Sequence, residues 1–300
     1  QESIVANPSL RGGPADWLGA QAERGGTVGG RPVLNVSFAL NYAAGELSVE
    51  GYHVVNTILH GISGLLLYGI LRRTPFILGH PFRAGLEISS PRPIRWLALA
   101  VALVWSLHPL QTAAVTYISQ RAEVLAGCLY LLTLYAFIRV AYADTEPKGR
   151  LRGWSVVAVG ACGLGVASKE ILVTAPLMVM LYDRVFIAGS FRAAWQARRG
   201  LYIGLMSSWL PLALLVADNA GRGGTAGVAT AMGTWNYLLT QCDALVTYLR
   251  LAVWPAGQVF DYGTPLIARV SGVWWQAVVV IGLLGATIFA LRKKWGAGFW

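Results

Sequence analysis

The sequence predicts an all-α integral membrane fold, a polytopic helical bundle, and three observations point to it. Of 300 residues, 55% are hydrophobic and only 13% are charged, with a mean hydropathy of +0.54. Long apolar runs recur between charged or Pro/Gly-rich breaks, and Lys and Arg fall mainly in alternate breaks. Such a chain is neither disordered nor fibrous. Its net charge of +10 reports topology before it reports a nucleic-acid partner, because charge in so apolar a chain must sit mainly in loops.

Crossing a hydrocarbon core of about 30 Å takes about 20 apolar residues. About seven runs answer to this: residues 52–71, 94–110, 122–142, 153–168, 170–187, 200–217 and 272–291. The fourth and fifth are short and separated only by Ser168, Lys169 and Glu170. In order, the reading gives a first external loop at 1–51, a bundle of six spans at 52–217, a second external loop at 218–271, and a seventh span with the start of another at 272–300. Each loop carries a stretch with apolar residues at helical spacing among Asn, Gln, Asp and Arg, at 33–44 and 235–254, which predicts interfacial helices. Residues 219–233 are Gly/Ala/Thr-rich and lack the order of a phosphate-binding glycine loop.

Lys and Arg accumulate on the cytoplasmic side of a membrane, so alternating the loops tests the spans together. One set holds 15 of them, in the breaks 72–95, 148–152, 184–199 and 292–294, and the other holds 8 over more residues. The segments 1–51, 108–121, 218–271 and the Lys169 turn are therefore expected outside. The sequence opens on Gln1 rather than Met, and residues 295–300 begin another apolar run, so the chain is expected to be an internal fragment with a span upstream.

Polar and ionisable groups gather at the outward ends of the spans, where burial makes them costly and therefore worth a functional reading. His108, Gln111, Gln120, Arg121, Glu123, Lys169 and Glu170 lie at three neighbouring outer termini, with Arg31, Arg250 and Asp261 on the interfacial segments above. Buried charges are often simply paired, so Arg121 and Lys169 can equally neutralise Glu170 and Glu123. His53, Asn56 and His60 share one helix face, which for Asn56 and His60 reads as a hydrogen-bonded seam between helices. His53 sits at the outer mouth, where an imidazole can donate to a phosphate or sugar oxygen.

Cys128, Cys162 and Cys242 share no metal spacing and form no disulfide framework, and no carboxylates stand at ligand spacing, so no metal site is expected. Walker, zinc-peptidase and Ser-His-Asp patterns are missing as well. What remains is an outward polar site with cations and carboxylates. That combination suits a polyprenyl-phosphate-linked donor: cations stabilise the phosphate leaving group and a carboxylate takes the acceptor's proton. Inverting transfer needs only that one base and a good leaving group.

Six stretches also resemble a known family. They are RPVLNVSFALNY from Arg31 to Tyr42, GYHVVNTILH from Gly51 to His60, HPLQTAAVTYISQRAE from His108 to Glu123, Ser168-Lys169-Glu170 with Tyr182-Asp183 further on, and YLRLAVWPAGQ from Tyr248 to Gln258. They are similar to the transmembrane and tetratricopeptide-repeat O-mannosyltransferase family and its bacterial relatives. The resemblance implies a fold of the glycosyltransferase C type in a bacterial inner membrane. It implies a dolichyl- or polyprenyl-phosphate mannose as co-substrate, a protein or glycan acceptor, and tetratricopeptide repeats, of which this chain shows none. The family's acidic catalytic position is an Asp pair shortly before an Asn-Pro such as Asn7-Pro8, which places it upstream of Gln1 or leaves Glu2 to represent it.

The resulting expectation is a membrane glycosyltransferase with Glu2, Glu123 and Glu170 as acidic candidates and Arg121, Lys169, Arg31, His53 and Arg250 as phosphate-binding candidates. Its partners are membrane lipid, the donor and the acceptor, with further membrane subunits and no nucleic acid. The alternative is a non-catalytic subunit or scaffold of a larger membrane assembly. A secondary transporter is disfavoured by the lack of an inverted repeat.

Overall fold

The computed structural model describes residues 4–19, 28–74, 92–142, 148–210, 213, 234–259, 266–293 and 295–299. Among these, every regular element is helical, and the chain divides into two units, residues 1–220 and 221–300.

The first unit runs through α1 (Pro14–Gly19), α2 (Pro32–Gly45), α3 (Val49–Leu71), α4 (Arg92–Leu107), α5 (Thr112–Thr116), α6 (Arg121–Ala141), α7 (Lys148–Val166), α8 (Ala175–Phe186) and α9 (Phe191–Met206). α6 lies at its centre, packed on α3 and α7, while α4 covers α3 and α9 covers α7 and α8. Small residues permit these approaches. A Cβ on Gly69 would lie 2.6 Å from the Tyr135 ring, so the glycine lets α3 and α6 close on that aromatic.

Helices α3, residues Ile118–Ala141 and, in the second unit, α11 (Trp274–Arg292) are long and apolar enough to cross a membrane. A fourth candidate is α4 joined to Pro109–Thr116, bent by 50°. His108 explains the bend: the residue before a proline avoids the helical region, and His108 is extended at φ −64°, ψ 134° before Pro109. The stretches expected at 153–168 and 170–187 are largely helical but, among the described residues, do not meet that length and composition, and of 200–217 only 200–210 and 213 are described. α7 opens on Lys148, Arg150 and Arg152, α8 has only 12 residues after the break at Lys169, and α9 is kinked at Arg198.

At the end of the unit carrying the α8–α9 connection, the fully buried Asp183 carboxylate takes both oxygens' worth of hydrogen bonds from Arg198 Nη1, at 3.0 and 2.9 Å. Tyr202 donates to Asp183 Oδ2 at 2.5 Å, and Arg198 Nη2 donates to the Ala141 carbonyl at 3.3 Å. Tyr182 closes the cluster toward α3 through Thr74, at 2.8 Å. Nearby, Arg73 lies over the Tyr135 ring at 5.1 Å, and burial draws its pKa below the usual guanidinium value.

The second unit pairs α10 (Thr234–Val253) with α11. Gln276 donates to Asp243 at 3.0 Å, and Thr240 accepts from the Ile267 amide at 3.1 Å. Both predicted interfacial stretches are therefore helices, as α2 and α10. Most of the apolar surface of α11 is open, with Val278, Ile281 and Leu284 each more than half exposed.

Candidate functional site

The site forms where the opposite end of the first unit is capped by residues 4–19 and 28–45. Asn7, Ser9 and Asn35 build the cap from inside: Asn7 Nδ2 donates to Asn35 Oδ1 at 2.9 Å, and Asn35 Nδ2 donates to Ser9 Oγ at 2.9 Å and to the Trp17 carbonyl at 2.8 Å. All three polar side chains are buried and satisfied, as burial requires. Leu10, Leu34, Phe38, Tyr52 and Ala122 pack beneath them, joining the cap to α3 and α6.

Arg121 enters this core. The 3-10 turn Ile118–Gln120 ends the connection from α5, and Arg121 is the first residue of α6, fully buried. Its Nε donates to Asn56 Oδ1 at 2.9 Å. Nη1 donates to the Ser37 carbonyl at 3.1 Å and to Asn41 Oδ1 at 2.5 Å, and Nη2 donates to the Tyr52 carbonyl at 2.9 Å. The guanidinium carbon lies 4.8 Å from the Phe38 ring centre and 5.3 Å from that of Tyr52. These four contacts use oxygens of neutral groups and two aromatic faces, an arrangement a planar, weakly hydrated cation tolerates better than an ammonium does.

Two ion pairs stand beside this core at the turn between α7 and α8. Lys169 pairs with Glu123 of α6, and Glu170 accepts from Arg31 Nη2 at 3.2 Å. The Val33 amide donates to the Ala167 carbonyl at 3.3 Å, fastening the start of α2 to the same turn. Lys169 and Glu170 thus reach two different neighbours from adjacent positions. The Lys169 and Arg31 side chains are about one-fifth exposed and Glu123 is half exposed, so the pairs border solvent whereas Arg121 does not.

The structure therefore brings Arg31, Arg121, Glu123, Lys169 and Glu170 to one end of the first unit, with His53 half-buried one residue after Tyr52. Glu170 meets Arg31 rather than Arg121. Asn56 Nδ2 reaches the Val115 carbonyl at 3.4 Å, and His60 Nε2 meets the Ser106 carbonyl at 2.9 Å while stacking on Trp105, so both residues join α3 to its neighbours. Arg250 lies exposed in the last turn of α10, in the second unit. Glu2 and Asp261 lie outside the described residues. Among the described residues, no group of three or more His, Cys, Asp or Glu side chains is arranged to hold a metal.

Sequence reasoning missed Asn7, Ser9, Asn35, Asn41 and Phe38 as parts of this core. Asn35 and Asn41, unusual polar residues six apart in an apolar stretch, were the available signal. It also missed the pairing of Asp183 with Arg198, fifteen residues apart across a turn.

No family model matches the chain, and no solved structure matches it. Among characterised proteins, it is 27% identical to the protein O-mannosyl-transferase Tmtc2 of Drosophila melanogaster over 292 residues, 91% of this chain and 29% of that protein. It is 25% identical to Drosophila Tmtc1 over 99% of this chain and 35% of that protein. Mouse TMTC2 is 32% identical over 52% of this chain and 16% of its own length. The chain is thus similar along nearly its whole length to TMTC protein O-mannosyl-transferases, of the first two of which it spans about a third or less.

Proposed function

We propose that the chain is part of a membrane glycosyltransferase of the glycosyltransferase C type, moving a mannose-like sugar from a polyprenyl-phosphate to a protein or glycan acceptor outside the membrane. The observation that carries this reading is the Lys169-Glu170 turn, which sets two cations and two carboxylates at the solvent border beside a folded cap. The likeness to O-mannosyl-transferases over 91% of the chain supports the same reading.

In this reaction an acceptor oxygen attacks the anomeric carbon, the bond from that carbon to the phosphate oxygen breaks, and the acceptor's proton passes to a carboxylate. Lys169 and Arg31 are the candidates for holding the phosphate, a role supported by their position at the solvent border, where a carboxylate orients each cation. His53 adds a donor at the mouth. Arg121 acts beneath them by holding α2 against α3 and α6, so that the cap carrying Arg31 keeps its place. The proton acceptor is drawn from Glu2, Glu123 and Glu170.

A scaffold role is the second reading, favoured by one observation: Arg121, Lys169 and Arg31 all have partners within the protein. Full-length protein in detergent, given radiolabelled polyprenyl-phosphate mannose and an acceptor peptide, separates the two. Sugar transfer that Lys169→Met abolishes supports the enzyme. No transfer, and no polyprenyl-phosphate co-purifying by mass spectrometry, supports the scaffold.

A further inference from the structure

At the end of the first unit away from Arg121, a cavity of about 330 Å³ opens between α3 and α4. Among the described residues it is lined by Tyr68, Arg92, Arg95, Trp96 and Leu99. Its described lining combines two guanidinium groups with two aromatic side chains. Arg92 and Trp96, Arg95 and Leu99, and Tyr68 and Arg72 are spaced four apart on their helices, which stacks each pair along one face. The guanidinium of Arg72 accordingly lies 5.7 Å from the Tyr68 ring centre, adding a third cation at the same helix end.

The position of this cavity determines what can fill it. Tyr68 is three residues from the end of α3, and Arg92 begins α4, so the cavity sits at the terminus of one membrane-length helix and of another in the bent candidate span. Trp and Tyr at such termini occupy the headgroup layer of a bilayer. Trp96 is 69% exposed, as an indole in that layer would be. Further along the two helices, Leu65 is 71% exposed and Val104 67%, an apolar surface suited to acyl chains. At the small end of the ligand-pocket range of about 300–1,000 Å³, the cavity takes a headgroup rather than a whole lipid.

We propose that this cavity binds the phosphate of an anionic membrane phospholipid, with Arg92 and Arg95 as the ligands and Trp96 and Tyr68 bracketing the glycerol. A guanidinium fork holds two phosphate oxygens at once, and basic pockets between helices on the Lys/Arg-rich side of a membrane suit anionic headgroups. The break in the sequence between α3 and α4 belongs to the Lys/Arg-rich set. This site lies at the other end of the unit from the proposed sugar-transfer site and does not depend on it.

Native mass spectrometry of the detergent-solubilised protein with added phosphatidylglycerol or phosphatidylcholine tests the proposal. The unaltered protein should retain phosphatidylglycerol over phosphatidylcholine. Arg92→Gln with Arg95→Gln should weaken that retention by about tenfold or more. Since loss of two charges can disturb insertion, Leu99→Trp provides a second variant that fills the cavity while keeping every charge, and it should release the lipid as well. Arg150→Gln with Arg152→Gln, which removes two charges elsewhere in the Lys/Arg-rich set, should retain it. Equal retention of the two lipids, or equal loss from the Arg150/Arg152 variant, overturns the proposal. So does glycerol 3-phosphate binding as tightly as the lipid, which would assign a soluble phosphate instead.

Discussion

Arg121 Nε donates to Asn56 Oδ1 at 2.9 Å, and the nitrogen of the same amide donates to the Val115 carbonyl at 3.4 Å. One asparagine on α3 thereby links the start of α6 to the connection that precedes it. The cation it holds is buried with no carboxylate beside it among the described residues, so its stability rests on the number and direction of neutral acceptors.

Arg121→Lys is expected to destabilise the first unit by about 2–4 kcal/mol, although the charge is kept. An ammonium has three donors on one atom, cannot reach four oxygens spread around a plane, and is more strongly hydrated. Asn56→Ala should cost about 1–3 kcal/mol by leaving the Nε donor unsatisfied. Apparent melting temperature in detergent, followed by tryptophan fluorescence, reads both. A melting temperature unchanged in Arg121→Lys would contradict the pinning role.

The Lys169–Glu123 pair should behave in the opposite way. Glu123 is half exposed, and pairs at a solvent border contribute about 0–1 kcal/mol, so Lys169→Met should leave the melting temperature nearly unchanged. Sugar transfer should fall by about two to three orders of magnitude, the scale of removing one preorganised donor from a developing anion. The exchanged pair, Lys169→Glu with Glu123→Lys, should fold but not restore transfer. Transfer at full rate in that exchanged protein would remove Lys169 from the phosphate site.

Asp183→Asn keeps the shape of the side chain and strips the charge that Arg198 and Tyr202 were placed to meet. Breaking a buried pair on one side costs about 3–5 kcal/mol, so this variant should accumulate poorly and unfold early. Tyr202→Phe, which removes one hydrogen bond, should cost about 1 kcal/mol. Expression level and melting temperature check the order, and equal effects from the two variants would show that the carboxylate's charge carries no special weight.

An engineered cysteine at Gly149 tests the sidedness. A Cβ there meets nothing within 4 Å, and replacing the half-buried Cys242 with Ser leaves only the buried Cys128 and Cys162. An impermeant thiol reagent added outside intact cells should leave Gly149→Cys unmodified and should modify Ser48→Cys before α3. Labelling of Gly149→Cys from outside would invert the whole arrangement.

The helices were legible in the sequence because their signals are local. Apolar runs gave α3, α6 and α11, whereas the span read through 94–110 is broken in the structure by a 50° bend at His108-Pro109. Lys169 with Glu123 was readable as well, since few charges of opposite sign lay at neighbouring helix ends. The surroundings of Arg121 were not, because Ser37 and Tyr52 contribute backbone carbonyls, which no side-chain pattern announces. The cap of Asn7, Ser9 and Asn35 was hidden for a related reason: small polar residues satisfy one another only once a tertiary fold places them together.

The slot around Arg121 also has a direction in time. Its acceptors come from Ser37, Asn41, Tyr52 and Asn56, all synthesised before the arginine that fills it, and chains fold from the N-terminus as they emerge. The two aromatic walls and four oxygens are thus made while Arg121 is still in the ribosome, and they close into one slot only when it arrives. The guanidinium then gives up its water in a single late step, the docking of α6. Nascent chains ending shortly before residue 121 should therefore hold an open, protease-sensitive cap, and chains long enough to have inserted α6 a closed one.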